Sequence, residues 1–85
     1  RFARGKAEMH IQVRLYSHLK RHAPEGKALF SLDLPSGSIV KTVLEHLELK
    51  DQVRKIVLIN GRPAQADTIV QDHDLIVIFP VAEGG

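Results

Sequence analysis

The segment Pro80-Val81-Ala82-Glu83-Gly84-Gly85 follows a hydrophobic run and closes on two glycines. These are the residues best suited to chemistry. Neither glycine has a Cβ atom, so the pair can lie extended in a channel too narrow for side chains. That would bring the Gly85 carboxylate against the reactive centre of another protein. The expected functional group is this carboxylate, and the expected task of the remaining residues is to present it.

The other candidates are weaker. His18 and His22 stand at i, i+4, a spacing that binds metal on an α-helix, but Lys20, Arg21 and Pro24 lie among them. Nearby positive charge opposes a cation, and the proline limits a helix, so a solvated polar loop is expected there. Glu45 and His46 are sequence neighbours and would diverge on a helix rather than act as an acid and base pair. Asp72 and Asp74 are expected to satisfy local N–H groups of a turn rather than to bind a cation. Lys20-Arg21 and Arg54-Lys55 lack interleaved aromatics, so a solvated surface is expected in place of a nucleic-acid site. The sequence has no cysteine, which excludes disulfides, thiolate metal sites and a cysteine nucleophile within it. It is compatible with a reducing compartment, and a cytoplasmic location is expected.

With 85 residues, 44% of them hydrophobic and 26% charged, the composition is that of one small globular domain. A chain of this size buries only about 60% of the surface its unfolded form exposes, which leaves little apolar material for a deep cleft. No apolar stretch approaches the roughly 20 residues that span a bilayer. The formal charge of +2 resides in the first eight residues, where Arg1, Arg4 and Lys6 outnumber Glu8. These eight are read as an expression remnant or disordered leader before Met9. From Met9 onward cations and anions balance, so the basic pI carries little weight for nucleic-acid binding.

Period-two alternation of Ile11, Val13 and Leu15 predicts a first strand at 10–17, and Phe30, Leu32 and Leu34 predict a second at 28–34, paired as a hairpin. Between them, Ser17 to Lys27 reads as a polar connection with one helical turn. Val40, Val43, Leu44 and Leu47 form a single apolar stripe and predict a helix over 39–48, with Ser38 as its N-cap. Ile56 to Ile59 predicts an interior, largely covered strand. Asn60-Gly61 is a two-residue turn signal, and Pro63 marks the return at 62–65 as an edge strand. The last strand is expected over 74–79, ended by Pro80. The fold class is α+β, a mixed sheet of four to five strands with one main helix packed on one face.

This order, the Leu58-Ile59-Asn60-Gly61 hairpin, an Asp-rich turn leading into Ile76-Val77-Ile78-Phe79-Pro80, and Gly84-Gly85 after the final strand together resemble the β-grasp (ubiquitin-like) sulfur carriers of the MoaD/ThiS family. The resemblance covers Met9 to Gly85 and is greatest to the small subunit of molybdopterin synthase. It implies a β-grasp body over 9–79 and a flexible tail over 80–85. It further implies adenylation of the Gly85 carboxylate by a ubiquitin-activating-type enzyme that uses ATP, and conversion to a thiocarboxylate. A sulfur-accepting enzyme, such as the large subunit of molybdopterin synthase, would then receive the sulfur. The carrier itself would bind no cofactor and hold no catalytic residue. Gly84 would thread the channel, and Phe79, Pro80 and Val81 would dock the partner. A thiamin-thiazole-type carrier and a modifier conjugated to lysines remain open alternatives. The sequence departs from the family pattern at Glu83, at the single Pro80, and at His73, where glycine is common. Histidine tolerates positive φ, so the last change is compatible with the fold.

Overall fold

The computed structural model describes residues 8–49 and 54–81. The chain forms β1 (Glu8–Leu15), β2 (Leu29–Pro35), α1 (Val40–His46), β3 (Lys55–Ile59), β4 (Arg62–Ala64) and β5 (Leu75–Pro80). The strands make one mixed sheet in the order β2-β1-β5-β3-β4. The expected hairpin is present, with β1 antiparallel to β2. β5 inserts between β1 and β3, parallel to the first and antiparallel to the second.

Alternation along β1 is complete: Met9, Ile11, Val13 and Leu15 are buried, and the residues between them are exposed. The buried set joins Phe30 and Leu34 of β2, Val40 and Val43 of α1, and Ile76 and Ile78 of β5 in one core. The helix therefore covers one face of the sheet. That corrects the expectation of a largely covered third strand. β3 does lie inside the sheet, yet only Val57 is buried, and Ile56 is 41% exposed. Interior position in a sheet does not bury a face that nothing packs against.

The helix starts one residue later than expected and is capped differently. The Ser38 hydroxyl donates to the Pro35 carbonyl at 2.7 Å and closes the preceding turn, while Ile39 takes the extended cap position. The first helical N–H groups find backbone acceptors instead: Val40 donates to the Thr68 carbonyl and Lys41 to that of Ala66. The 65–70 segment thus satisfies the donors that a serine cap would otherwise have met. At the other end Glu48 adopts φ +60, its N–H donates to the Glu45 carbonyl, and the Leu49 N–H donates to that of Leu44. This is a Schellman stop with glutamate where glycine is usual, fastened by the buried Leu49.

The polar connection after β1 is more ordered than its composition implies. Ser17–His22 forms a 3-10 helix with Leu19 buried, followed by a turn over Pro24–Gly26. On a helix of three residues per turn, positions i and i+4 diverge by about 120°, so His18 and His22 do not share a face. The His22 Nδ1 lies 3.0 Å from the Leu47 carbonyl and ties this segment to the end of α1. Glu83, Gly84 and Gly85 lie outside the described residues.

Candidate functional site: the tail root and the open sheet face

β5 delivers the chain to the tail, and its end is pinned to β3. Lys55 stands opposite Pro80 and Ile56 opposite Phe79, and the Val81 N–H donates to the Arg54 carbonyl at 3.1 Å. The strand thus continues through Pro80, one residue past the expected end. Val81 supplies the bond to β3, so the missing proline N–H leaves no gap in that ladder. Phe79, Pro80 and Val81 are each half-buried. Phe79 alternates with the core residue Ile78 and therefore faces away from the helix. Its ring meets that of Tyr16 edge-on, with centroids 6.2 Å apart.

Of the face that carries Phe79, the row that crosses Val77 is apolar but for Arg14, while His10, Gln12, Ser31 and Asp33 make the rest of its β1 and β2 side polar. In register, Leu29 of β2 stands beside Arg14 of β1, Arg14 beside Val77 of β5, Val77 beside Leu58 of β3, and Leu58 beside Pro63 of β4. Among the described residues, four of the five exposed large hydrophobics, Tyr16, Leu29, Ile56 and Leu75, occupy this same face. Scattered exposed apolar residues are ordinary, whereas a contiguous set on one surface marks an interaction site. Arg14 and Tyr16 were legible only as the polar partners in the alternation of β1. Their position amid apolar neighbours depends on which strands flank them.

At the opposite end of β5 the turn over 71–74 behaves as expected. Asp74, 8% exposed, accepts from the Gln71 N–H at 2.9 Å, and Asp72 accepts from the His10 N–H at 2.7 Å. His73 adopts φ +69 and donates its N–H to the His10 carbonyl at 2.7 Å. The Asn60-Gly61 turn also forms, with φ +52 and +86. Sequence reasoning missed that the Asn60 side chain bridges two strands. Its Nδ2 donates to Asp74 at 2.8 Å, and its Oδ1 accepts from the Leu75 N–H at 3.0 Å.

His10 Nδ1 and Asp33 Oδ1 lie 2.6 Å apart on neighbouring strands. The hydrogen bond to Asp33, and then its charge, raise the His10 pKa above the usual histidine value of about 6.5. A raised folded-state pKa makes the contribution fully present below the unfolded value and lost as pH rises through the folded one. We expect the His10 ring, followed by NMR, to titrate above its peptide value and to fall toward it in Asp33→Asn, where the weaker pull of Asp72 and Glu8 remains. Both side chains are more than half exposed, so the pair tunes local order more than global stability. An unchanged midpoint in the variant would contradict the pairing.

A mixed five-stranded sheet with one helix on one face, ending in a strand that feeds a tail, defines a ubiquitin-like β-grasp protein. The fold matches that of Caldiarchaeum subterraneum ubiquitin with a TM-score of 0.58 at 18% identity, covering 93% of this chain and 100% of that one. It also matches small archaeal modifier protein 1 of Haloferax volcanii, with a TM-score of 0.73 at 22% identity over 87% of this chain and 99% of that one. A third match is to a chain in the complex of subunits 1 and 2 of the Helicobacter pylori molybdopterin-converting factor. Its TM-score is 0.59 at 19% identity, covering 91% and 100% of the respective chains. At these identities the structures show a shared fold. No curated protein sequence matches significantly. The model of the ThiS family matches residues 14–85, and the chain belongs to that family of ubiquitin-like sulfur carriers and modifiers.

Proposed function

We propose that this protein is a sulfur carrier of the type that serves as the small subunit of molybdopterin synthase, acting through the carboxylate of Gly85. The family match, which runs through Gly85 itself, is the observation that carries this reading. The Helicobacter pylori complex, which pairs a protein of the same fold with a second subunit, adds support. In the proposed sequence the Gly85 carboxylate attacks the α-phosphate of ATP on a ubiquitin-activating-type enzyme and releases pyrophosphate. A sulfur donor then displaces AMP from the acyl-adenylate, which leaves a terminal thiocarboxylate for the sulfur-accepting subunit. Gly84 gives the approach its narrow cross-section. Phe79, Pro80 and Val81 hold the body at the mouth of the channel.

The chain contributes no catalytic side chain and binds no cofactor in this scheme, since ATP is used by the activating partner. Its setting is the cytoplasm. Among the described residues, no helix is long and apolar enough to cross a membrane.

Incubation with the host's adenylating enzyme, ATP and a sulfide source is expected to raise the intact mass by the difference between a sulfur and an oxygen atom. Absence of both this product and the preceding adenylate would refute the proposal. Lysine-linked adducts in place of the thiocarboxylate would transfer the reading to protein conjugation.

A further inference from the structure

The sheet ends on two unlike edges. β4 closes one side with only Arg62–Ala64, and Pro63 in its middle has no N–H to offer a further strand. β2 closes the other side with Leu29–Pro35. The Leu15 N–H donates to the Ala28 carbonyl at 2.8 Å, which sets the alternation of the β1–β2 hairpin. Residues 28, 30, 32 and 34 therefore bond to β1, and the N–H and C=O groups of Leu29, Ser31 and Asp33 point outward. Among the described residues, no hydrogen bond reaches these outward groups.

The open stretch has definite ends. The Lys27 N–H is already given to the Pro24 carbonyl at 3.1 Å. Pro35 has no N–H, and its carbonyl accepts from the Ser38 N–H at 3.2 Å and the Ser38 hydroxyl at 2.7 Å. A strand laid on this edge uses all the outward groups only by spanning Leu29 to Asp33.

β2 itself is such a strand. Turned about a two-fold axis at Ser31, a second β2 sets Ser31 opposite Ser31 and Leu29 opposite Asp33, each a hydrogen-bonded pair that exchanges both of its bonds. On the helix side the same register puts Phe30 beside Leu32, so apolar meets apolar and the half-buried Leu32 gains cover. The Asp33 carboxylate is held by His10 Nδ1 at 2.6 Å, so it enters the interface with a partner. A head-to-tail contact would need a second receptive edge on the same molecule, which β4 does not provide. Self-pairing uses one edge and closes.

We propose that β2 is an association surface for a second copy of this chain, paired antiparallel about Ser31 so that two sheets join into one. This edge lies on the far side of β1 from β5, so Phe79, Pro80 and Val81 stay uncovered and each copy keeps its own tail root accessible. The pairing does not depend on the chemistry of Gly85.

The experiment dilutes the isotopically labelled full chain from about 1 mM to about 20 μM, a range over which a weak pair dissociates. Sedimentation follows the mass and NMR follows the amides. We expect the mass to fall toward that of one chain, and the Leu29, Ser31 and Asp33 amides to shift and to exchange faster on dilution. Ser31→Lys sets like charges opposite one another at the axis and should weaken association by more than about tenfold. Its unfolding midpoint at low concentration should match the wild type, because the outward Ser31 N–H takes no part in the ladder to β1. The same charge added at the other edge, in Gln65→Lys, should leave association unchanged. Ser31→Thr should strengthen it, because threonine favours strands and pairs well across them.

A single-chain mass throughout the range, or equal association by S31K and wild type, would overturn the proposal. So would shifts confined to residues outside β2, or protection of the three amides that does not change with concentration. If lysine disturbs the monomer, S31T decides the matter, and weaker association by S31T than by wild type would count against the pairing.

Discussion

Replacing Asn60 by alanine is expected to destabilise the protein by about 3 kcal/mol, a large fraction of the stability of so small a domain. Three losses combine. The Leu75 N–H loses the Oδ1 acceptor 3.0 Å away, and the buried Asp74 carboxylate loses the Nδ2 donor at 2.8 Å. The loss at the buried Asp74 carboxylate costs about 1–3 kcal/mol, and that at the exposed Leu75 N–H costs less because water can replace the acceptor. Alanine must also adopt the φ of +52 that asparagine tolerates, at a further cost of order 1 kcal/mol. Asn60→Gly separates the effects, because glycine meets the backbone requirement and lacks the side chain. It should recover about 1 kcal/mol of the loss in urea unfolding. A loss in Asn60→Ala no greater than in Asn60→Gly would mean that the positive φ costs alanine little, and a negligible loss in Asn60→Gly would mean that water replaces the amide bridges.

The second large effect is expected at Ile78. It is fully buried and stands in register with Leu15 on one side and Val57 on the other, so its side chain fills the centre of the core. Ile78→Ala removes three carbon atoms from a site walled by sheet neighbours, and a cost of about 3–4 kcal/mol is expected. The adjacent Val77 is half-buried on the open face, and Val77→Ala should cost less than about 1 kcal/mol, because solvent fills the gap. The contrast measures how one-sided the core is. Equal losses at the two positions would mean that the open face is covered in solution. Ile78 also lies two residues before Pro80, so loosening it should free the strand that leads to the tail. Faster amide exchange at Phe79 and Val81 would report this.

These sites differ in how far the sequence foretold them. The burial of Ile78 follows from the hydrophobic run Leu75 to Phe79, and the backbone of Asn60 from the Asn-Gly turn signal. The bridge from Asn60 to Asp74 does not follow. It requires β5 to lie against β3, so that residues fourteen apart in sequence meet. The Ser38 cap failed for a related reason. A serine before an apolar stripe is a sound local signal, yet the carbonyls of Ala66 and Thr68 reach the same N–H groups from a distant segment. His18 and His22, expected to lie in a solvated polar loop rather than to bind metal, fall instead in a segment that winds as a 3-10 helix with Leu19 buried, where the i, i+4 pair does not share a face.

The sequence by itself determined which residues each element hides. Ile11, Val13 and Leu15 share one side of a strand, Val40, Val43 and Leu47 share one side of a helix, and Gly84-Gly85 is suited to a narrow channel. Periodicity carries this information because side-chain direction is set by the geometry of each element alone. Only the tertiary structure decided that β5 enters between β1 and β3. That placement brings Arg14, Tyr16, Val77 and Phe79 onto one exposed surface beside the tail. Alternation states which side a residue faces within its strand. It cannot state which strands are neighbours, because pairing is settled by the burial and hydrogen bonding of the whole sheet at once.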